Sequence, residues 1–148
     1  MFAPTFTRQT WLSLLSRANQ QALTALLAHA PPLPSFTRLR GPEIGMSMVR
    51  ARAGGSGEAF NLGEMTLSRC SIRDDAGRIG HGYAAGRDGQ QVELIARLDA
   101  ALQDETLYPA YEAAVLIPLA EASQTRRADV AAKAAATDVQ FFTLAAMR

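Results

Sequence analysis

The residues best suited to chemistry in this chain are arginines set around a glycine-rich stretch. Gly54-Gly55-Ser56-Gly57 is the one glycine-dense loop. Arg50 and Arg52 precede it, Arg69 lies on the next strand, and Arg87 stands before a later helix. Backbone amides in such a loop can cradle an anion, and the planar guanidinium fork fits phosphate oxygens. The pattern predicts a phosphate-facing patch of Arg50, Arg52, Arg69, Arg87, Gly54, Gly55 and Gly57. The same residues also describe a plain connection whose arginines pair with Glu43, Glu58 and Glu64. Both readings stay open, because glycine clusters are ordinary turn punctuation.

The other constellations are thinner. Cys70, His29 and His81 cannot supply the four ligands of a structural zinc site. Cys70 and His81 could pair as nucleophile and base if adjacent strands bring them together. The simpler expectation for Cys70 is a small buried apolar thiol. Glu43 and Glu64 would form an acid–base pair only if strands juxtapose them. Gly80-His81-Gly82-Tyr83-Ala84-Ala85 has the spacing of a dinucleotide fingerprint, but its glycines fall inside a strand. There they would let another element pack closely. Lys133, the single lysine, sits among alanines, which rules out a P-loop. No catalytic residue and no metal-ligand set is assigned.

These residues must be positioned by a chain of 148 residues, 48% hydrophobic and 20% charged, with net charge +1. That suits one domain over 1–148 and excludes a disordered chain. The balanced charge gives no nucleic-acid footprint. No run reaches the roughly 18 apolar residues of a membrane helix. Ala28-His29-Ala30 resembles a signal cleavage site, but the run before it reads better as a helix stopped by Pro31, Pro32 and Pro34. A single cysteine points to a reducing, cytoplasmic setting.

Helices are predicted over 7–18, with Thr7 as cap and Phe6 and Trp11 as a hydrophobic staple, and over 20–29. His29, at the carboxyl end of the second, has a structural place there. Strands follow at 36–40 and 44–52 with Gly41-Pro42 turning between them, then at 63–73 and 79–85 with a hairpin at Asp74–Gly77. The apolar phase shifts between Leu67 and Cys70, as a bulge or two-sided cover would cause. Asp88 and Gln91 open a helix in capping-box spacing, and a further helical region runs from Pro109 to about Ala136, interrupted near Pro118. Helices, an antiparallel sheet of about four strands, and helices again make an α+β domain. Arg69, in a dense motif beside Cys70, is expected to be buried. The strand 79–85 and the adjacent Phe141 and Phe142 are expected to lie under a partner.

Taken together, Arg40-Gly41-Pro42-Glu43-Ile44-Gly45-Met46, the Gly54–Gly57 loop, Phe60-Asn61-Leu62-Gly63-Glu64-Met65-Thr66, Arg69-Cys70, Gly80-His81, Tyr83 and Gly86-Arg87-Asp88 resemble the PhnG family. So does the tail from Lys133 through Phe141-Phe142-Thr143. Ala51 and Ala53 depart from the pattern, where a glycine and a larger aliphatic residue would be expected. The resemblance implies a subunit of the bacterial carbon–phosphorus lyase complex. It implies action with PhnH, PhnI and PhnL to replace the adenine of ATP by a phosphonate such as methylphosphonate, before PhnJ cleaves the carbon–phosphorus bond. ATP would be a substrate of the assembly, and this chain would bind no cofactor alone. The family assigns PhnG no agreed catalytic residue. Phe60, Asn61, Leu62, Gly63, Glu64, Cys70, Phe141 and Phe142 are then expected to build contacts, mainly with PhnI and PhnJ. The alternative is a subunit that lends arginines to a shared triphosphate or phosphonate site.

Overall fold

The computed structural model describes residues 5–139, so Phe141 and Phe142 lie outside the described residues. Its elements run α1 (Arg8–Leu15), α2 (Gln20–Leu27), β1 (Phe36–Arg52), β2 (Ala59–Asp74), β3 (Ile79–Ala85), α3 (Gly89–Ala101), α4 (Tyr108–Tyr111) and α5 (Ile117–Ala135). A π-helical turn, Glu112–Leu116, joins α4 to α5. The architecture is α+β, as expected. The sheet is antiparallel, in the order β1-β2-β3.

Local chemistry fixes most boundaries. The Thr7 hydroxyl accepts from the Thr10 amide to start α1, and Asn19 accepts from the Ala22 amide to start α2. Asp88 Oδ1 accepts from the amides of Gln90 and Gln91, which caps α3. The capping box is half formed, because the Gln91 side chain donates to Ala18 O at 2.6 Å instead. That bond ties α3 to the connection between α1 and α2. Pro118 falls in the first turn of α5, where its missing N–H costs no helical bond.

The core sits around α3. One side of α3 packs on β2 and β3, and the other on α1 and α2. Val92, Ile95, Ala96 and Leu98 are buried there with Trp11, Leu15, Leu23, Cys70, Ile72, Tyr108 and Tyr111. Trp11 and Tyr108 meet with ring centroids 6.0 Å apart. Tyr111 donates to the carbonyls of Pro31 and Pro32, which pins the proline segment.

Gly80 and Gly82 explain how α3 lies so low on β3. A Cβ on either would run into the backbone of Ala96 or Val92. The close packing expected at these glycines is real, but its agent is this chain's own α3. On the face that α3 covers, β3 therefore has no surface left for a partner.

Two expectations about strands need correction. Gly41-Pro42 does not reverse the chain. Residues 36–52 form one strand with register shifts just before that dipeptide, across it, and again between Val49 and Arg50, and Gly41 takes a φ of 75° to accommodate the irregularity. The sheet accordingly has three strands. The phase change in β2 has another cause. The odd-numbered Met65 and Leu67 lie on the outer face, while Ser68, Cys70, Ile72 and Asp74 turn toward α3 and are buried. The switch falls where β2 leaves the shelter of α3.

Candidate functional site

β3 runs beside β2 only between Leu67 and Arg73, whereas β1 pairs with β2 along its whole length. Residues 44–52 and 59–66 therefore form a two-stranded arm beyond the body. Eight residues at about 3.3 Å each make it about 25 Å long. Its end is the glycine-rich loop. Gly54 and Gly55 take φ of 62° and 79°, and the Gly57 amide donates to Ala53 O at 3.0 Å. The loop is thus the arm's hairpin turn.

The arm's side chains are those of an interior. Ile44, Met46 and Met48 are 56%, 69% and 49% exposed. They pair with Ser68, Thr66 and Glu64, so they lie on the same sheet face that α3 covers further down. Phe60, Leu62 and Met65 are also exposed. An isolated two-stranded ribbon is marginal in water, and an exposed apolar stretch of this kind marks an interface.

The predicted anion-binding residues do not converge. Arg50 and Arg52 stand near the arm's tip, and Arg52 donates to Gly57 O. Arg69 lies at the arm's base opposite Glu43, seven residues back along β1, or about 20 Å away. Arg87 is exposed in the connection between β3 and α3. Arg69 and Arg40 both donate through Nε to Glu43. Burial of the Glu43 carboxylate works against its charge, but these two guanidinium partners outweigh it and hold its pKa below the usual value.

Arg69 is not buried, contrary to expectation. Its side chain is 39% exposed. Arg97 is the more enclosed arginine. It lies 4.6 Å over the Phe36 ring, and its Nε is buried without a hydrogen-bond partner.

The two proposed residue pairs lie on opposite faces. Cys70 pairs with Gly82 on the α3 side, while His81 pairs with Ser71 on the outer side, where its Nδ1 is 2.9 Å from Ser71 Oγ. Burial pushes the Cys70 thiol pKa up, which disfavours the thiolate a nucleophile needs. Glu43 shares the outer face with Arg69, and Glu64 shares the α3-side face with Met48. Neither pair can act on one substrate. Among the described residues no group of three or more His, Cys, Asp or Glu is placed to hold a metal ion. No described helix is long and apolar enough to cross a membrane.

Sequence reasoning missed Asp99. It is fully buried on α3 and accepts from Arg8 Nε and an Arg8 terminal nitrogen at 3.1 and 2.7 Å. It also accepts from Trp11 Nε1 and the His81 amide, each at 2.9 Å. One carboxylate thus joins α1, β3 and α3. The available signal was an acidic residue inside the apolar stripe of a helix.

The described residues thus define an α+β class, a helix-backed antiparallel sheet extended by an exposed apolar arm. Comparison with known proteins then gives the family. The chain matches the family described as phosphonate metabolism protein PhnG over residues 6–146, and it belongs to that family. A relative from Rhizobium meliloti (strain 1021) is 36% identical over 139 residues, covering 93% of this chain and 87% of the relative. That relative is named alpha-D-ribose 1-methylphosphonate 5-triphosphate synthase subunit PhnG.

Proposed function

We propose that this chain is a supporting subunit of a ribose 1-methylphosphonate 5-triphosphate synthase. It would work in a cytoplasmic hetero-oligomer with PhnH, PhnI and PhnL, and in contact with PhnJ. The assembly transfers the ribose triphosphate of ATP to a phosphonate such as methylphosphonate and releases adenine. The observation that carries this reading is the arm, whose bare apolar side chains need cover from another polypeptide. Family membership supports the pathway. Displacing adenine requires neutralisation of triphosphate charge by several cations held together. The scattered arginines do not offer that on this chain alone.

The test is reconstitution. The pure chain with ATP and methylphosphonate should release no adenine by chromatography. The other subunits should release it only when this chain is added. Adenine release by the pure chain that survives further purification, and is lost in Arg50→Ala, would overturn the supporting role. One observation favours a second reading. Arg50 and Arg52 lie two residues apart on one strand at the arm's tip, and no ion pair engages either among the described residues. The arm could thereby carry two guanidinium groups to a phosphate site on a partner. Arg50→Ala with Arg52→Ala would then raise the KM for ATP without changing the yield of assembled complex.

A further inference from the structure

The arm has two free backbone edges. Within the arm the β1 edge carries Arg50 and Arg52, and Pro42, which has no N–H to offer, stands with Glu43 just below its base. Proline and charge are the devices that keep an edge strand from pairing. The β2 edge along Ala59–Met65 has no proline and one charge, Glu64, among Phe60, Leu62 and Met65. Its one irregularity is at Leu62, the extra residue where the register against β1 shifts between Val49 and Arg50.

That edge is also the continuation of an occupied lane. β3 lies alongside β2 as far as Ala85, opposite Leu67, and the Gly86 amide then donates to Thr66 O at 2.9 Å. Thr66 therefore turns its backbone polar groups toward the lane of β3. Strand alternation turns those of Glu64 the same way, and no strand lies alongside there among the described residues. Both faces of the arm bear apolar side chains, Ile44, Met46 and Met48 on one and Met65 on the other. Such two-sided strands belong to the middle of a covered sheet.

We propose that an extended segment of another subunit fills this lane along Ala59–Met65, so that the arm becomes a three-stranded sheet across the subunit boundary. The proposal rests on the supporting-subunit reading and goes beyond it by assigning the edge and the mode of contact. The added segment would be about seven residues long, alternately apolar on each side of the irregularity at Leu62, with no acidic residue opposite Glu64. Its main chain would supply affinity, and its alternate side chains would set register.

Residue-resolved amide hydrogen exchange tests this on two samples: the chain alone at several concentrations, and the chain co-purified with the other synthase subunits. The expected result is an exchange rate at Glu64 about 100-fold slower in the complex, since pairing converts an open amide into a protected one. Met65, whose amide faces β1, should change much less. A complex that still forms while the Glu64 amide exchanges freely would overturn the strand addition and leave the subunit reading standing. Protection of Glu64 in the chain alone, rising with concentration, would give the lane to a second copy and overturn the proposal as well. Failure to co-purify would overturn both readings. Glu64→Pro, which removes the lane-facing N–H, should cut the yield of complex at least tenfold. Glu64→Gln, which keeps that N–H, should not. Equal yields from the two variants would also count against the lane, with the circular dichroism of each chain confirming that its body is folded.

Discussion

β2 spends its sixteen residues in two environments. From Ser68 to Asp74 its inward side chains are sealed under α3. From Ala59 to Met65 every residue is exposed. Composition does not separate the halves, since Phe60, Leu62 and Met65 are at least as apolar as Cys70 and Ile72. What separates them is whether this chain supplies a cover. The body folds against itself, and the arm is left without cover among the described residues, which the subunit reading takes as half of an interface. On the proposed reading, stability and assembly are written on different parts of one strand, so substitutions in the two parts should fail in different ways.

The largest effect should come from the body's buried charge. Asp99→Ala leaves the Trp11 indole N–H and the His81 amide without their acceptor. Arg8, whose side chain is 44% exposed, can turn to water. Breaking a buried pair typically costs 3–5 kcal/mol, and the freedom of Arg8 puts this one at the low end, about 3–4 kcal/mol. Urea denaturation of the isolated chain would measure it. A loss below about 1 kcal/mol, the value of an exposed pair, would remove Asp99 from the centre of the fold.

Glycines sharpen the comparison, because both regions have them on strands. Gly82→Ala drives a Cβ into the Val92 carbonyl, so α3 must lift, at a cost of about 2–3 kcal/mol. Gly63→Ala meets nothing within 4 Å. It should stabilise by about 0.5 kcal/mol, since a strand-interior glycine loses more entropy on folding than alanine. The expected difference is therefore one of sign, read as opposite shifts in the denaturation midpoint. Similar shifts for both variants would mean that the arm is packed as tightly as the body.

Much of the body was legible in the sequence. Thr7, Asp88, the Asp74–Gly77 hairpin and the Ile79–Ala85 strand carry local signals, because caps and turns are set by residues adjacent in the chain. Gly80 and Gly82 could be read as a close approach before the approaching element was known. The joined β1 strand was not legible, because glycine and proline mark an irregularity without saying whether the chain reverses there. Register against β2 decided that, and register is a long-range property. The candidate site was legible only in part. Arginine type and spacing suggested an anion patch, while strand length placed Arg50 and Arg69 some 20 Å apart. Alternation put Cys70 and His81 on opposite faces, a separation that depends on the parity of two pairing partners and leaves no local trace.

The smallest effect distinguishes the two hairpin turns. The arm's turn is held mainly by its own backbone and by Arg52. The inner turn is tied down by Arg78, which donates to Asp74 at 2.7 Å and to Asp104 at 2.6 Å. Bonds from the Thr106 hydroxyl and amide, aided by Arg78, lower the Asp104 carboxyl to about 2. A carboxyl with a depressed pKa contributes its full stability above the ordinary aspartate value near 4. That contribution declines as pH falls toward 2, where protonation releases Arg78. Carbon-13 titration of the Asp104 carboxyl should give a midpoint near 2. Thr106→Ala should move it back toward 4 and slightly lower stability at neutral pH, where the contribution of the paired carboxylate is present in full. Exchange at the Asp74–Arg78 amides should quicken over the same acid range, with the arm's turn unaffected. A wild-type midpoint near 4, or equal acid sensitivity in the two turns, would show that the inner turn is held no more firmly than the arm's.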